Sequence, residues 1–196
     1  MTAPNTVRNY YAPRRVAQAA RTREAIAAAA ERLFARHGYA GTTIAAVAEE
    51  AGVTPKSVYA LADKPGLLLL AVRRSEAAPG PEDIAGALLR RYPLERAFEE
   101  AAHTEPVLRE AWRRHERARR ARLKTLVREA ADAGRLRPGL TVGRATDTLW
   151  ALVTWHTVAL LVEQRGWGRA KLAVWLGQLI ETTLGGPAAT AAGPPG

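Results

Sequence analysis

The chain has 196 residues, of which 47% are apolar and 24% charged, with a formal net charge of +10; this is globular rather than disordered composition. The absence of Cys excludes disulfides, thiolate nucleophiles and Cys-ligated zinc or iron–sulfur sites. The longest apolar run without a charge, residues 148–162 between Asp147 and Glu163, is shorter than the about 20 residues of a membrane span, and the amino terminus lacks the apolar core and cleavage site of a secretory signal. A soluble cytoplasmic protein with no membrane partner is expected.

An excess of positive charge points to a polyanion, nucleic acid before an acidic lipid surface. Of the 29 basic residues, only Lys56, Lys64, Lys124 and Lys171 are lysines. Arg forks suit phosphate recognition, but Arg and Ala richness also follows from GC-rich coding sequence, so the placement of the charges has to decide.

Residues 1–15 read as a basic arm. Its end, Tyr10-Tyr11-Ala12-Pro13-Arg14-Arg15, either reaches an adjacent minor groove or DNA backbone or is a frayed terminus without a role. Residues 16–37 are Ala-rich and place Ile26, Ala29, Ala30, Leu33 and Phe34 at helical spacing, with Gly38 as the stop. A short helix follows, capped by Thr43 and stopped at Gly52. Thr54-Pro55-Lys56-Ser57 then opens another, with a hydroxyl at the N-cap and Pro at the first helical position. Asp63-Lys64-Pro65-Gly66 starts a fourth helix over residues 67–76, before a Pro/Gly linker.

Beyond the linker the spacing predicts helices over residues 82–92, 94–103, 106–133, 142–164 and 168–184, then a disordered tail over 186–196. No segment alternates with period two, and no internal repeat is present. The fold class is all-α, with a head over 16–77 and a helical ligand-binding and dimerisation domain over 78–185.

Two short Thr-capped helices separated by Ala51-Gly52-Val53 meet the requirements of a helix-turn-helix. Gly52 permits a positive-φ turn, Ala48 and Ala51 allow close approach, and Ile44, Val47, Val53 and Val58 supply a small core. The second helix would enter the major groove with Thr54, Pro55, Lys56 and Ser57 leading. The alternative is that Thr43 and Thr54 merely cap helices in an ordinary bundle.

At these residues the sequence resembles the tetracycline-repressor (TetR) family of bacterial one-component regulators. The resemblance rests on Phe34-Ala35-Arg36-His37-Gly38-Tyr39, Thr42-Thr43-Ile44, Ala48-Glu49-Glu50-Ala51-Gly52-Val53-Thr54, Ser57-Val58-Tyr59, and Lys64 with Leu67-Leu68. It implies a homodimer with a three-helix DNA-binding domain, a pseudo-palindromic double-stranded operator, and a variable carboxy-terminal domain that binds a small-molecule effector. Carried over by position, Thr43, Thr54, Lys56, Ser57 and Tyr59 would face DNA and Lys64 would hold a phosphate. One departure stands out: the step from Tyr59 to Lys64 is one residue shorter than the family's and lacks its Phe, so Leu61 must anchor the recognition helix or the junction is re-aimed.

In the carboxy-terminal half, residues 150–162 are apolar nearly all round, which predicts a helix buried on several sides. Leu172, Trp175, Leu176, Leu179 and Thr183 make one stripe of the last helix, suited to a four-helix dimer interface. Along residues 106–133, a stripe of Leu108, Trp112, His115, Arg119, Arg122, Leu126 and Ala130 mixes cations into an apolar face. Either His115, Arg119 and Arg122 wall a pocket for an anionic or polar effector, or the Arg stems lie across the core edge and pair with Asp147 or Glu163. Arg113, Arg114, Arg117 and Arg120 are expected to face solvent. Trp112, Trp150, Trp155 and His156 are further candidate pocket walls, or plain core.

Enzyme motifs are missing from the sequence. Ser57 and Ser75 sit in no Gly-x-Ser-x-Gly elbow, the four His make no zinc-binding pair, and no phosphate loop occurs; no catalytic residue, metal or cofactor is expected. The function expected is a sequence-specific transcriptional regulator, more often a repressor, released by an effector. The alternative is an architectural DNA binder that senses nothing.

Overall fold

The computed structural model describes residues 11–77 and 84–185, with side chains from Arg15 onward. The Arg14 side chain, most of the basic arm, the linker and the tail lie outside the described residues. The described chain is all-helical: α1 (Tyr11–Gly41), α2 (Ile44–Glu50), α3 (Pro55–Tyr59), α4 (Lys64–Ala77), α5 (Ile84–Thr104), α6 (Pro106–Asp132), α7 (Val142–Leu152), α8 (Trp155–Ala159), which runs into a π turn (Leu160–Gln164), and α9 (Arg169–Leu184).

The first helix begins earlier than expected, at Tyr11, so the end of the predicted arm is its opening turn. Pro13 is tolerated there because the first turn has no intrahelical use for its missing N–H. At Gly38 the backbone breaks (φ 68°, ψ −178°) and one more turn follows. The hydroxyl of buried Thr42 donates to the Gly38 carbonyl at 2.8 Å and closes that break. Gly52 likewise has φ 66°, as the turn between α2 and α3 requires.

Ile26, Phe34, Val47, Val58, Leu67 and Leu68 form the core of the head, and Leu94, Ala97, Phe98 and Ala101 of α5 with Leu108 and Ala111 of α6 belong to the same core. Two smaller clusters lie farther out. One joins Ala85, Val158, Leu172 and Leu176, the other Val127, Ala145 and Leu149.

Two further predictions differ by more than a helix end. Pro93 does not end a helix but lies inside α5. The local cost of a helix-interior Pro is about 3 kcal/mol, and burial of Leu94, Ala97, Phe98 and Ala101 directly after it outweighs this, at about 1.5–3 kcal/mol for each large apolar side chain.

The opposite occurs at residues 142–164, which are not one helix. The chain leaves the helical conformation at Val153 (φ −91°, ψ 72°), and Thr154 caps a new helix by accepting from the Thr157 N–H. The two segments are bent by 42°. Arg119 of α6 fills the break: its guanidinium donates to the carbonyls of Trp150 (3.1 Å) and Val153 (3.0 Å), and to both carboxylate oxygens of Glu116. The outer face of this region is less buried than the apolar run suggests, with Leu152 and Leu160 exposed.

Replacing Arg119 by Leu leaves two carbonyls without their donor and the Glu116 carboxylate with only the Trp150 indole. The expected loss is about 2–4 kcal/mol of unfolding free energy, read by urea denaturation. A loss below about 0.5 kcal/mol, the range of ordinary surface substitutions, would show that water substitutes for the guanidinium.

Candidate functional site

Helix α3 is one turn long, capped at its start and packed down by Val58 near its end. Thr54 Oγ1 accepts from the Ser57 N–H at 3.2 Å, with the Ser57 hydroxyl 3.0 Å away, and Pro55 takes the first helical position. Val58 is fully buried beneath it. Thr54, Pro55 and Lys56 are exposed, Ser57 is half-buried, and Tyr59 stands 65% exposed. Thr43 is exposed and accepts from the Ala46 N–H at 3.1 Å. Exposed Arg15 and Ser57 line one groove between α1 and α3, together with Arg23 and Leu61. Leu61, half-buried against the head core, anchors the shortened junction.

Asp63 caps α4 by accepting from the Gly66 N–H at 2.8 Å. A Cβ at position 66 would lie 2.9 Å from both Ala62 Cβ and Asp63 Oδ1, so this tight junction needs glycine there. Lys64 is half-buried, with Nζ 4.4 Å from the centre of the Tyr39 ring, a cation–π contact that orients the ammonium. The Tyr39 hydroxyl donates to Glu105 at 3.2 Å. Burial, then the neighbouring Glu105 carboxylate, push its pKa well above the ordinary phenol value. Glu105 is the N-cap of α6, so α6 touches the phosphate-clamp candidate through a single intervening ring.

Deeper in the body lies a cavity of about 280 Å³, walled by Glu95 and Glu99 from α5, Trp112, Glu116 and Arg119 from α6, and Trp150, Thr154, Trp155 and His156 around the α7–α8 break. Trp150 Nε1 donates to Glu116 at 3.0 Å and Trp155 Nε1 to Glu99 at 2.7 Å. His156 lies 3.2 Å from the same Glu99 oxygen. Burial raises the pKa of Glu95, against the opposing pull of His115, Arg119 and Arg91.

Five candidate wall residues therefore meet at the cavity: Trp112, Arg119, Trp150, Trp155 and His156. His115 and Arg122 do not line it. His115, with a side chain 8% exposed, lies behind the wall, stacked on Trp112, with Nδ1 3.2 Å from Glu76 at the end of α4. It holds the Glu76 carboxyl below the usual range. Arg122 is exposed, 3.9 Å from Glu76. Leu126, farther along the stripe, borders a separate apolar cavity of about 240 Å³ with Leu149 and Ile180. The expected Arg pairings also shift: Asp147 pairs with Arg120, which was expected in solvent, and Glu163 with Arg96. Glu116 is the partner of Arg119.

The carboxylates were missed by sequence reasoning. Glu95 and Glu99 are four apart on α5 and so share one helix face, which was the available signal. Among the described residues no group of His, Cys, Asp or Glu could hold a metal ion, and no single helix is long and apolar enough to cross a membrane.

Residues 26–61 match the profile of the family described as bacterial regulatory proteins, tetR family. Solved structures of transcriptional regulators share the fold over more than four-fifths of the chain. A candidate TetR-family transcriptional regulator from Rhodococcus sp. is 21% identical, with a TM-score of 0.64, over 84% of this chain and 99% of that one. FadR from Bacillus subtilis, solved with stearoyl-CoA, is 16% identical, with a TM-score of 0.55, over 83% and 98%. NalD, the secondary repressor of the MexAB-OprM multidrug efflux pump in Pseudomonas aeruginosa, is 24% identical, with a TM-score of 0.55, over 83% and 96%. No curated protein matches the chain.

Glu95 gives this chain a pH signature. Its folded-state pKa is raised, so its contribution to stability is present below the unfolded pKa and is lost as pH rises through the folded one. Glu95→Gln keeps the neutral form at every pH. It is expected to raise Tm near neutrality, with the gain vanishing as pH falls below the ordinary carboxylate range; thermal melts across pH check this.

Proposed function

We propose that this chain is a homodimeric, sequence-specific DNA-binding transcriptional regulator, acting as a repressor that a small molecule removes from a pseudo-palindromic operator. The observation that carries the reading is the capped α2–α3 pair with its solvent-facing Thr54, Pro55, Lys56 and Tyr59. A one-turn helix presenting an exposed aromatic ring and a lysine ahead of a buried valine is shaped for a groove. Arg15 extends the same surface. The half-exposed Leu152 and Leu160 and the exposed Val174 of α9 give each protomer an apolar face for a two-fold partner.

The link from effector to DNA runs through α6. This helix carries Trp112, Glu116 and Arg119 into the cavity and, besides the core contacts of Leu108 and Ala111, holds the head through polar groups near both ends of α4: Glu105 holds Tyr39 beneath Lys64, and His115 holds Glu76. Both ends of α4 are thereby tied to the helix that forms a cavity wall. A ligand that binds a shifted α6 better than the DNA-bound arrangement moves α4 with it. A coupling of about 1–3 kcal/mol suffices for a response of roughly 5- to 150-fold. The stearoyl-CoA bound by the FadR relative and the repressor role of the NalD relative fit this reading.

Fluorescence anisotropy tests it. Protein is titrated onto a labelled fragment from upstream of its own gene and onto random DNA of equal length. A preference of about 10³ or more at physiological salt is expected of a specific regulator. Equal, steeply salt-dependent binding to both, repeated with fragments selected from the whole genome, would favour the architectural alternative.

Lys64→Ala is expected to weaken binding to all sequences alike and to flatten the log–log salt dependence by about one unit, the signature of one lost phosphate contact. An unchanged slope would remove Lys64 from the DNA contacts.

A further inference from the structure

The cavity has aromatic walls and an excess of negative charge. Three carboxylates, from Glu95, Glu99 and Glu116, face one guanidinium, that of Arg119. Arg119 has four of its five N–H groups committed, to Glu116 and to the carbonyls of Trp150 and Val153, so it has no two-donor edge left for an anion. Glu99 accepts from Trp155 and has His156 beside it. Glu95 is different. Its side chain is 16% exposed, and its nearest cationic partner, His115 Nε2, lies at 3.8 Å, beyond hydrogen-bond distance. That Nε2 is itself buried without a hydrogen-bond partner, on a side chain more than nine-tenths buried that points at Glu95 beside the cavity. A buried imidazole nitrogen left unbonded beside a half-buried carboxylate that lines the cavity marks a place where a further partner is missing. The three indoles around it, Trp112, Trp150 and Trp155, each have one face against a neighbour, His115, Arg119 and His156 in turn, and their remaining ring surface offers an apolar, electron-rich wall.

We propose that this cavity binds a small organic cation with an aromatic or apolar body, an arylalkyl ammonium or amidinium, with its charge on Glu95 and its body among the indoles. The inference rests on the reading of this cavity as the effector site and names the chemistry of the effector. It reverses the anionic effector that the arginines of α6 suggest from sequence, because each cavity-facing positive charge there is already paired. A volume of about 280 Å³ lies at the small end of ligand pockets, which run from roughly 300 to 1,000 Å³, and so favours one or two rings over a long chain.

Isothermal titration of the full chain with three probes of one shape provides the test: 2-phenylethylammonium, neutral 2-phenylethanol and anionic phenylacetate. The ammonium is expected to bind at least about tenfold more tightly than the alcohol, a difference set by the charge alone, with phenylacetate the weakest. Glu95→Gln, whose fold is checked by its melting curve, is expected to erase the preference while leaving the alcohol's affinity unchanged. Glu99→Gln, a second variant, is expected to reduce it by less. The proposal is overturned if phenylacetate binds as tightly as the ammonium, if the preference survives in Glu95→Gln, or if the ammonium does not bind. Adding each probe to the DNA complex separates the two readings. Release by phenylacetate alone keeps the effector role and removes the cation. Glu95-dependent ammonium binding that leaves the DNA complex untouched keeps the cation site and removes the effector role.

Discussion

The guanidinium of Arg119 stands where an apolar helix would otherwise run straight. Residues 142–164 have the composition of one long helix, and breaking it frees carbonyls that cannot be left dry. Arg119 takes two of them, and Glu116 balances its charge. Trp150 then fastens its indole N–H to Glu116 from the other side. The 42° bend that results opens the space bordered by Trp150, Thr154 and Trp155. The arginine satisfies the carbonyls that the break frees, and the break sets Trp150 and Trp155 on the wall of the cavity.

The same helix joins the body to the head. Along α6, in order, come Glu105, which bonds Tyr39; Leu108 and Ala111, which complete the head core; Trp112, which faces the cavity; His115, which bonds Glu76; and Arg119 at the break. These positions step along one side at helical spacing. A rigid rod with a cavity on its middle and the ends of α4 on its flank is suited to carry small displacements, because packed interfaces shift between discrete arrangements rather than deform smoothly.

Legibility in the sequence followed the range of the interaction. The Thr43 and Thr54 caps, the Pro55 start and the positive-φ glycines at 38 and 52 were visible because each is decided within a few residues. The contents of the core were visible for the same reason, as helical periodicity at Ile26, Phe34 and Leu67. Pro93 misled because its local cost is real but is overridden by burial on distant elements. The break at Thr154 was hidden by the apolar run around it, although Thr-Trp-His-Thr holds a hydroxyl in N-cap position. The charge of the cavity was the least legible property. The arginines of α6 declare themselves in one stripe, whereas their neutralisation depends on which faces of α5 and α7 turn towards them.

The single core that joins α1–α4 to the first halves of α5 and α6 bears on how this molecule could be recombined. A graft of the reading head onto another sensor, cut between residues 77 and 84, would strip Phe98, Leu108 and their neighbours from beneath Phe34 and Leu68. Exchangeable parts therefore begin after the middle of α6, and the head cannot be transplanted without the first half of that helix. A chain built this way inherits its head and the adjoining part of its body together.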